Sequence, residues 1–256
     1  MSSPLLKTSL GDRMTMGSRM MSADSIITRD SVVNATLSLV GLCAVTSLGV
    51  VGIGLYISPA LASMLCIIGG IGVMVMTLAL LFSPQLRQKA QGVGIIMAIV
   101  QGLMLGGFSF SIGNYSFRGV EGWTLVMQAL VGTIGLFILA LFLYKTGAIR
   151  VTSGFTKFLI FATAGFGILY AGNFIIALVS GKNFLMSQGP IPIIIGVVAI
   201  ILATLTLIKD FDTIDNMVEA GTPDTFKWVL ATSVLSSLVW LYMEILRVLF
   251  LIARQR

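Results

Sequence analysis

Acidic residues are scarce in this chain and unevenly placed. Only ten Asp and Glu occur in 256 residues, and six of them, Asp210, Asp212, Asp215, Glu219, Asp224 and Glu244, fall in the last 50 positions. Glu244 lies inside the apolar run Val239-Trp240-Leu241-Tyr242-Met243-Glu244-Ile245-Leu246-Arg247. Placing an ionised carboxylate in hydrocarbon costs about 2.5–3.5 kcal/mol on insertion scales, so such a group faces the protein interior or water and is a functional candidate by default. Arg247 follows three residues later, on the same helical face, and the two can neutralise each other. An ion-handling acid and a self-contained ion pair are thus both open for Glu244.

Asp210 sits where an apolar stretch gives way to Lys209-Asp210-Phe211-Asp212-Thr213-Ile214-Asp215. It is the acid of that group nearest the membrane and the second candidate, whereas Asp212, Asp215 and Glu219 read as a solvated helix end. Thr222-Pro223-Asp224 reads as a helix start, with Thr222 as N-cap and Pro223 in the first helical position. The absence of His removes the usual catalytic base and metal ligand, so any pH response must come from buried carboxylates.

The elements that must hold these groups are membrane-spanning. Hydrophobic residues make up 57% of the chain and charged residues 10%, against about 25% charged in soluble domains. Seven apolar stretches, near Val32–Ile57, Ala60–Phe82, Val93–Ile112, Trp123–Tyr144, Phe158–Val179, Ile191–Ile208 and Trp228–Ala253, each approach the ~20 residues a helix needs to cross a bilayer. No alternating strand pattern appears, so the chain reads as an all-α membrane protein, a bundle of seven transmembrane helices. Residues 32–256 form one transmembrane domain with short linkers; residues 1–31 read as a cytoplasmic tail, partly disordered, in which Met14, Met16, Met20 and Met21 could form a small surface stripe.

Lys and Arg concentrate in the loops that are cytoplasmic if the N-terminus is inside, which fixes that orientation and explains the net charge of +6 without nucleic acid. An odd number of spans then puts the C-terminus outside, unless the last helix stops short or re-enters. Cys43 and Cys66 lie within apolar segments and behave as small hydrophobes rather than a disulfide or metal pair. Gln101 and Gln128 are expected to bond to neighbouring helices, and Gly49, Gly52, Gly54, Gly69, Gly70 and Gly72 to permit close helix contact. With no metalloprotease, phosphate-loop, dinucleotide or nucleophile-elbow pattern, an enzyme is not expected, nor a cofactor. No internal repeat supports a secondary transporter.

The last hairpin resembles the Bax inhibitor-1-like family, in its branch from high-GC Gram-positive bacteria. The resemblance rests on Asp210-Phe211-Asp212-Thr213-Ile214, Ala220-Gly221-Thr222-Pro223 and Trp240 to Arg247, and extends upstream through Gln128 to Thr133, Tyr144-Lys145 and Ile149 to Thr152. It implies a bacterial plasma-membrane protein whose final helix is surrounded by the other six, and a pH-sensitive calcium leak gated by two acids that share a proton when closed. Asp210 matches the first acid and Glu244 the second, with Glu in place of the usual Asp. Asp212, Arg247 and Arg254 are possible supporting residues, and a transported calcium ion is the only metal implied. The alternative is a non-conducting scaffold that binds and regulates other membrane proteins.

Helix geometry constrains the gate. If the last two helices meet at Gly221-Thr222, Asp210 lies about 17 Å from the turn and Glu244 about 33 Å at 1.5 Å per residue. A plain hairpin therefore leaves the acids roughly 16 Å apart in depth, with Glu244 falling to Arg247 or to a polar group on another helix.

Overall fold

The computed structural model describes residues 26–83, 89–117 and 120–255. Most of the expected N-terminal tail, its methionine stripe, and Arg87, Arg118 and Arg256 lie outside the described residues. Seven long helices follow one another: α1 Arg29–Tyr56, α2 Pro59–Phe82, α3 Ala90–Gly113, α4 Gly122–Lys145, α5 Ser153–Ser180, α6 Pro190–Glu219 and α7 Lys227–Gln255. All seven are long and apolar enough to cross a membrane. A two-residue antiparallel pair, Ser116–Phe117 with Val120–Glu121, joins α3 to α4, and short 3-10 turns at Phe184–Met186 and Asp224–Phe226 precede α6 and α7.

Local chemistry sets the boundaries. The first helix starts at Arg29, upstream of the expected Val32, because Thr28 and Ser31 form a reciprocal capping box: the Ser31 N–H donates to Thr28 Oγ1 at 3.1 Å and the Thr28 N–H to Ser31 Oγ at 3.2 Å. Proline opens α2 and α6. At the end of α6, Gly221 takes a positive φ of 65°, its N–H donates to Val218 O and the Thr222 N–H to Met217 O, the paired bonds of a Schellman stop. Thr222 is not the N-cap the sequence suggested. Its carbonyl accepts the Ile27 N–H at 2.9 Å, Pro223 is extended, and α7 begins only after the 3-10 turn. The tail residues next to α1 are thus strapped onto the α6–α7 turn, with Ile27 buried against Val32 and Leu230.

Helix α7 is the axis of the bundle. Two thirds of its most apolar window (67%) is buried, against 6% for α5. It packs mainly against α1, α3, α4 and α6, and its Arg247 also reaches Tyr170 of α5. Helix α2 lies outside, on α1 and α3, and α5 leans mainly on α6 and the 3-10 turn that follows it. The main core joins Leu207 and Ile208 of α6 to Leu241, Leu246 and Phe250 of α7, with Leu125 and Ala129 of α4 and Ile112 of α3.

Close approach is bought by glycine, though not always where the sequence pointed. A Cβ on Gly54 would strike the Phe110 ring at 2.6 Å, and one on Gly69 would meet the Met104 backbone. Gly72 likewise touches Val100, whereas Gly49 and Gly52 have nothing within 4 Å and Gly70 only ordinary contacts. Cys43 is buried, Cys66 half-buried, and both are free. Gln101 does reach across helices, donating to Ser236 Oγ of α7 at 2.8 Å, while Gln128 is exposed on the outer side of α4 and is not packing glue.

Candidate functional site

The site is built on the α6–α7 hairpin. Asp210 stands eleven residues before Gly221 and Ser233 twelve after it, so an unbroken antiparallel pair brings them level. Ser237 is one turn further along α7 on the same face. Ser233 Oγ donates to Asp210 Oδ1 at 2.8 Å and Ser237 Oγ to Oδ2 at 2.6 Å. The acid is only 3% exposed. Among the described residues it forms no ion pair: adjacent Lys209 contributes a favourable field but no contact. Ser233 itself is exposed, so the carboxylate is separated from the surface of the bundle by one side chain. Two hydroxyls satisfy hydrogen bonds without neutralising charge, which leaves the site able to take up a proton or a hard cation that favours oxygen ligands.

Glu244 is held differently. It is buried, and Oε2 accepts from Arg247 Nε at 3.1 Å and from Nη2 in a shorter contact. The guanidinium donates in addition to Tyr170 Oη of α5 at 3.1 Å and to the Leu185 carbonyl at 3.4 Å, and lies 5.4 Å from the Tyr170 ring centroid. Helix α6 accommodates the bulky pair because Gly196 faces it: a Cβ there would come within 3.3 Å of Arg247 Nη2 and overlap Val248. Glu244 and Arg247 form the ion pair that their spacing allows, and Arg247 links it to α5 and to the turn before α6.

The structure therefore does not bring Asp210 and Glu244 together. Even Ser237, the nearer to Glu244 of the two serines that Asp210 meets, precedes Glu244 by seven residues, about 10 Å along the axis. The Schellman turn fixes the hairpin register, and both helices are continuous through the site, α6 to Glu219 and α7 from Lys227. Asp212, half-buried, accepts from Asn216 of its own helix at 2.8 Å and touches neither acid. Arg254 is exposed and donates to the Met186 carbonyl at 3.1 Å.

Several polar contacts were missed in sequence. Asp215 is not a solvated acid: Oδ1 pairs with Arg29 Nε at 2.8 Å and Oδ2 accepts the Tyr144 hydroxyl at 2.6 Å, so one carboxylate ties α1, α4 and α6 together. Ser233, Ser236 and Ser237 carried a usable signal, three hydroxyls within one turn of an apolar helix. Tyr170 carried none. Because the Arg29 side chain is 65% exposed, its pair is screened, and Arg29→Ala is expected to cost less than about 1 kcal/mol in thermal unfolding of the detergent-solubilised protein. Tyr144→Phe, which strips a donor from a less exposed carboxylate, should cost about 1 kcal/mol.

No curated protein matches the chain. Residues 4–254, nearly its whole length, match the family model described as Bax inhibitor 1 like, and the features carrying the earlier resemblance, the α6 acid, the Gly-Thr-Pro turn and the acidic last helix, all lie within that span. The chain belongs to the Bax inhibitor 1 like family.

Proposed function

We propose that this protein is a proton-regulated cation leak of a bacterial plasma membrane, with calcium as the conducted ion and the N-terminus in the cytoplasm. It works without catalysis or a resident cofactor. The observation that carries this reading is Asp210, a buried carboxylate met by two hydroxyls and no cationic side chain, one of those hydroxyls belonging to an exposed serine. A proton and a metal ion compete for such a group, and the ionised form is the one that takes the metal. Arg29, Lys145, Lys209 and Lys227 lie at the end of the bundle that holds the α6–α7 turn, where the positive-inside rule places the cytoplasm. Glu244, already neutralised by Arg247, maintains the fold around the route in the state described.

Proteoliposomes containing a calcium-sensitive dye test this. Influx should rise as the pH is raised from about 5 to about 8, because loss of the competing proton frees Asp210. Asp210→Asn should flatten that dependence. Flux no greater than that of empty vesicles across the range refutes the leak. The surviving reading is then a non-conducting scaffold acting on other membrane proteins, which the closed Glu244–Arg247 pair favours because it leaves Asp210 as the only buried acid, among the described residues, without a cationic partner.

A further inference from the structure

Positions 233, 237, 240, 244 and 247 of α7 are spaced four, three, four and three residues apart and form one stripe along the central helix. Two polar compartments lie on it. One holds Asp210 with Ser233 and Ser237, the other Glu244 with Arg247 and Tyr170. Trp240 stands between them, about 4.5 Å along the axis from Ser237 and about 6 Å from Glu244. Between Gly196 and Asp210, α6 buries Ala199, Leu202, Ala203 and Leu207 together with a single hydroxyl residue, Thr204, whose Oγ1 donates to the Ile200 carbonyl of its own helix at 2.8 Å. Trp240 is half-buried and packs on the main core.

Its indole N–H is the second observation. Nε1 is buried and meets no partner at full hydrogen-bond geometry, but it lies against the Glu244 carboxylate. The indole thus turns its N–H to the Glu244 compartment while its ring packs on the main core.

We propose that Trp240 is the barrier of this protein: its ring separates the Asp210 compartment from the Glu244 compartment and keeps water and ions from running the length of the seam. Bulky apolar constrictions block pores by excluding water, and removing the ring restores the path. This rests on the leak reading for its physiological meaning, but the barrier is measurable without ion flux. In a background with Cys43 and Cys66 replaced by Ala, Ser233→Cys places a thiol on the exposed side of the Asp210 compartment. A small cationic methanethiosulfonate reagent, applied to oriented vesicles from either face, then reports access.

With Trp240 present, the thiol reacts from one face only. With Trp240→Ala, labelling from the opposite face rises about tenfold or more, and Trp240→Leu, a milder cut that keeps apolar packing, gives a smaller rise in the same direction. Trp240→Phe, which keeps a ring without the N–H, stays one-sided. Labelling that remains one-sided in both Trp240→Ala and Trp240→Leu overturns the barrier, as does two-sided labelling with Trp240 intact. Two-sided labelling in the cut variants, with no calcium flux in any protein, upholds the barrier and removes the leak.

Discussion

Arg247→Met destabilises the protein by about 3–5 kcal/mol, the usual cost of stranding one partner of a buried ion pair. Glu244 and Arg247 are 4% and 6% exposed, and no other cationic side chain among the described residues pairs with Glu244. Met matches the length and apolar volume of the Arg stem, so the loss is one of charge compensation and not of packing. In a chain of 256 residues, where 1 kcal/mol moves the midpoint by about 2–4 °C, the midpoint of thermal unfolding in detergent should fall by about 6–20 °C.

The double variant Glu244→Gln/Arg247→Met is the informative partner. With both charges gone the desolvation cost goes too, and the double should recover more than half of the loss despite carrying one more substitution. Glu244→Gln alone should be milder than Arg247→Met, because the guanidinium keeps the Leu185 carbonyl, the Tyr170 hydroxyl and the Tyr170 ring. A double variant no more stable than Arg247→Met would mean that Arg247 acts through α5 and the turn before α6, and not through Glu244.

Seven spans and their stops were legible because they depend on local chemistry. Ser58-Pro59, Gly189-Pro190 and Gly221 each end or start a helix for a reason carried by one or two residues. Rise per residue was equally local, and it foretold that Asp210 and Glu244 would lie at different depths. What it could not supply was the partner at each depth. That Asp210 meets Ser233 and Ser237 depends on which face α7 turns inward, and that Asp215 meets Arg29 and Tyr144 depends on three helices converging.

Helix faces are hard to tell apart here because lipid and protein interior are equally apolar, so no polar stripe marks an outside. Gln128 looked like glue and is exposed; α5 looked like any other span and is peripheral. The exception runs in the opposite sense to a soluble helix. In α7 Ser237, Glu244 and Arg247 are all buried, and the polar face is the inner one. An apolar helix carrying a polar stripe is therefore the mark of the central element, and this one was visible in the sequence from its only intramembrane carboxylate.

Gly106→Ala is expected to destabilise by about 1–3 kcal/mol, and Gly106→Leu by more, where the same single methyl at Gly49 costs nothing or gains up to about 1 kcal/mol in helix propensity. Both glycines lie within apolar helices and look alike in sequence. The difference is what stands opposite. A Cβ at Gly106 would overlap the Ser47 carbonyl oxygen and lie 2.9 Å from Ser47 Cα and Val50 Cβ of α1, whereas one at Gly49 meets nothing within 4 Å. Backbone atoms cannot rotate away as a side-chain tip can, so the methyl must push α3 from α1. On its next residue, Gly107, α3 is pressed equally hard against the Ala62 carbonyl at 2.6 Å and Cys66 Cβ at 2.5 Å, so it has no room to retreat toward α2. Midpoints of thermal unfolding for the two alanine variants, measured in one detergent, should move in opposite directions or differ by several degrees. Equal midpoints would show that α1 and α3 are not wedged together, and α7 would then lose the two neighbours that enclose it opposite the hairpin.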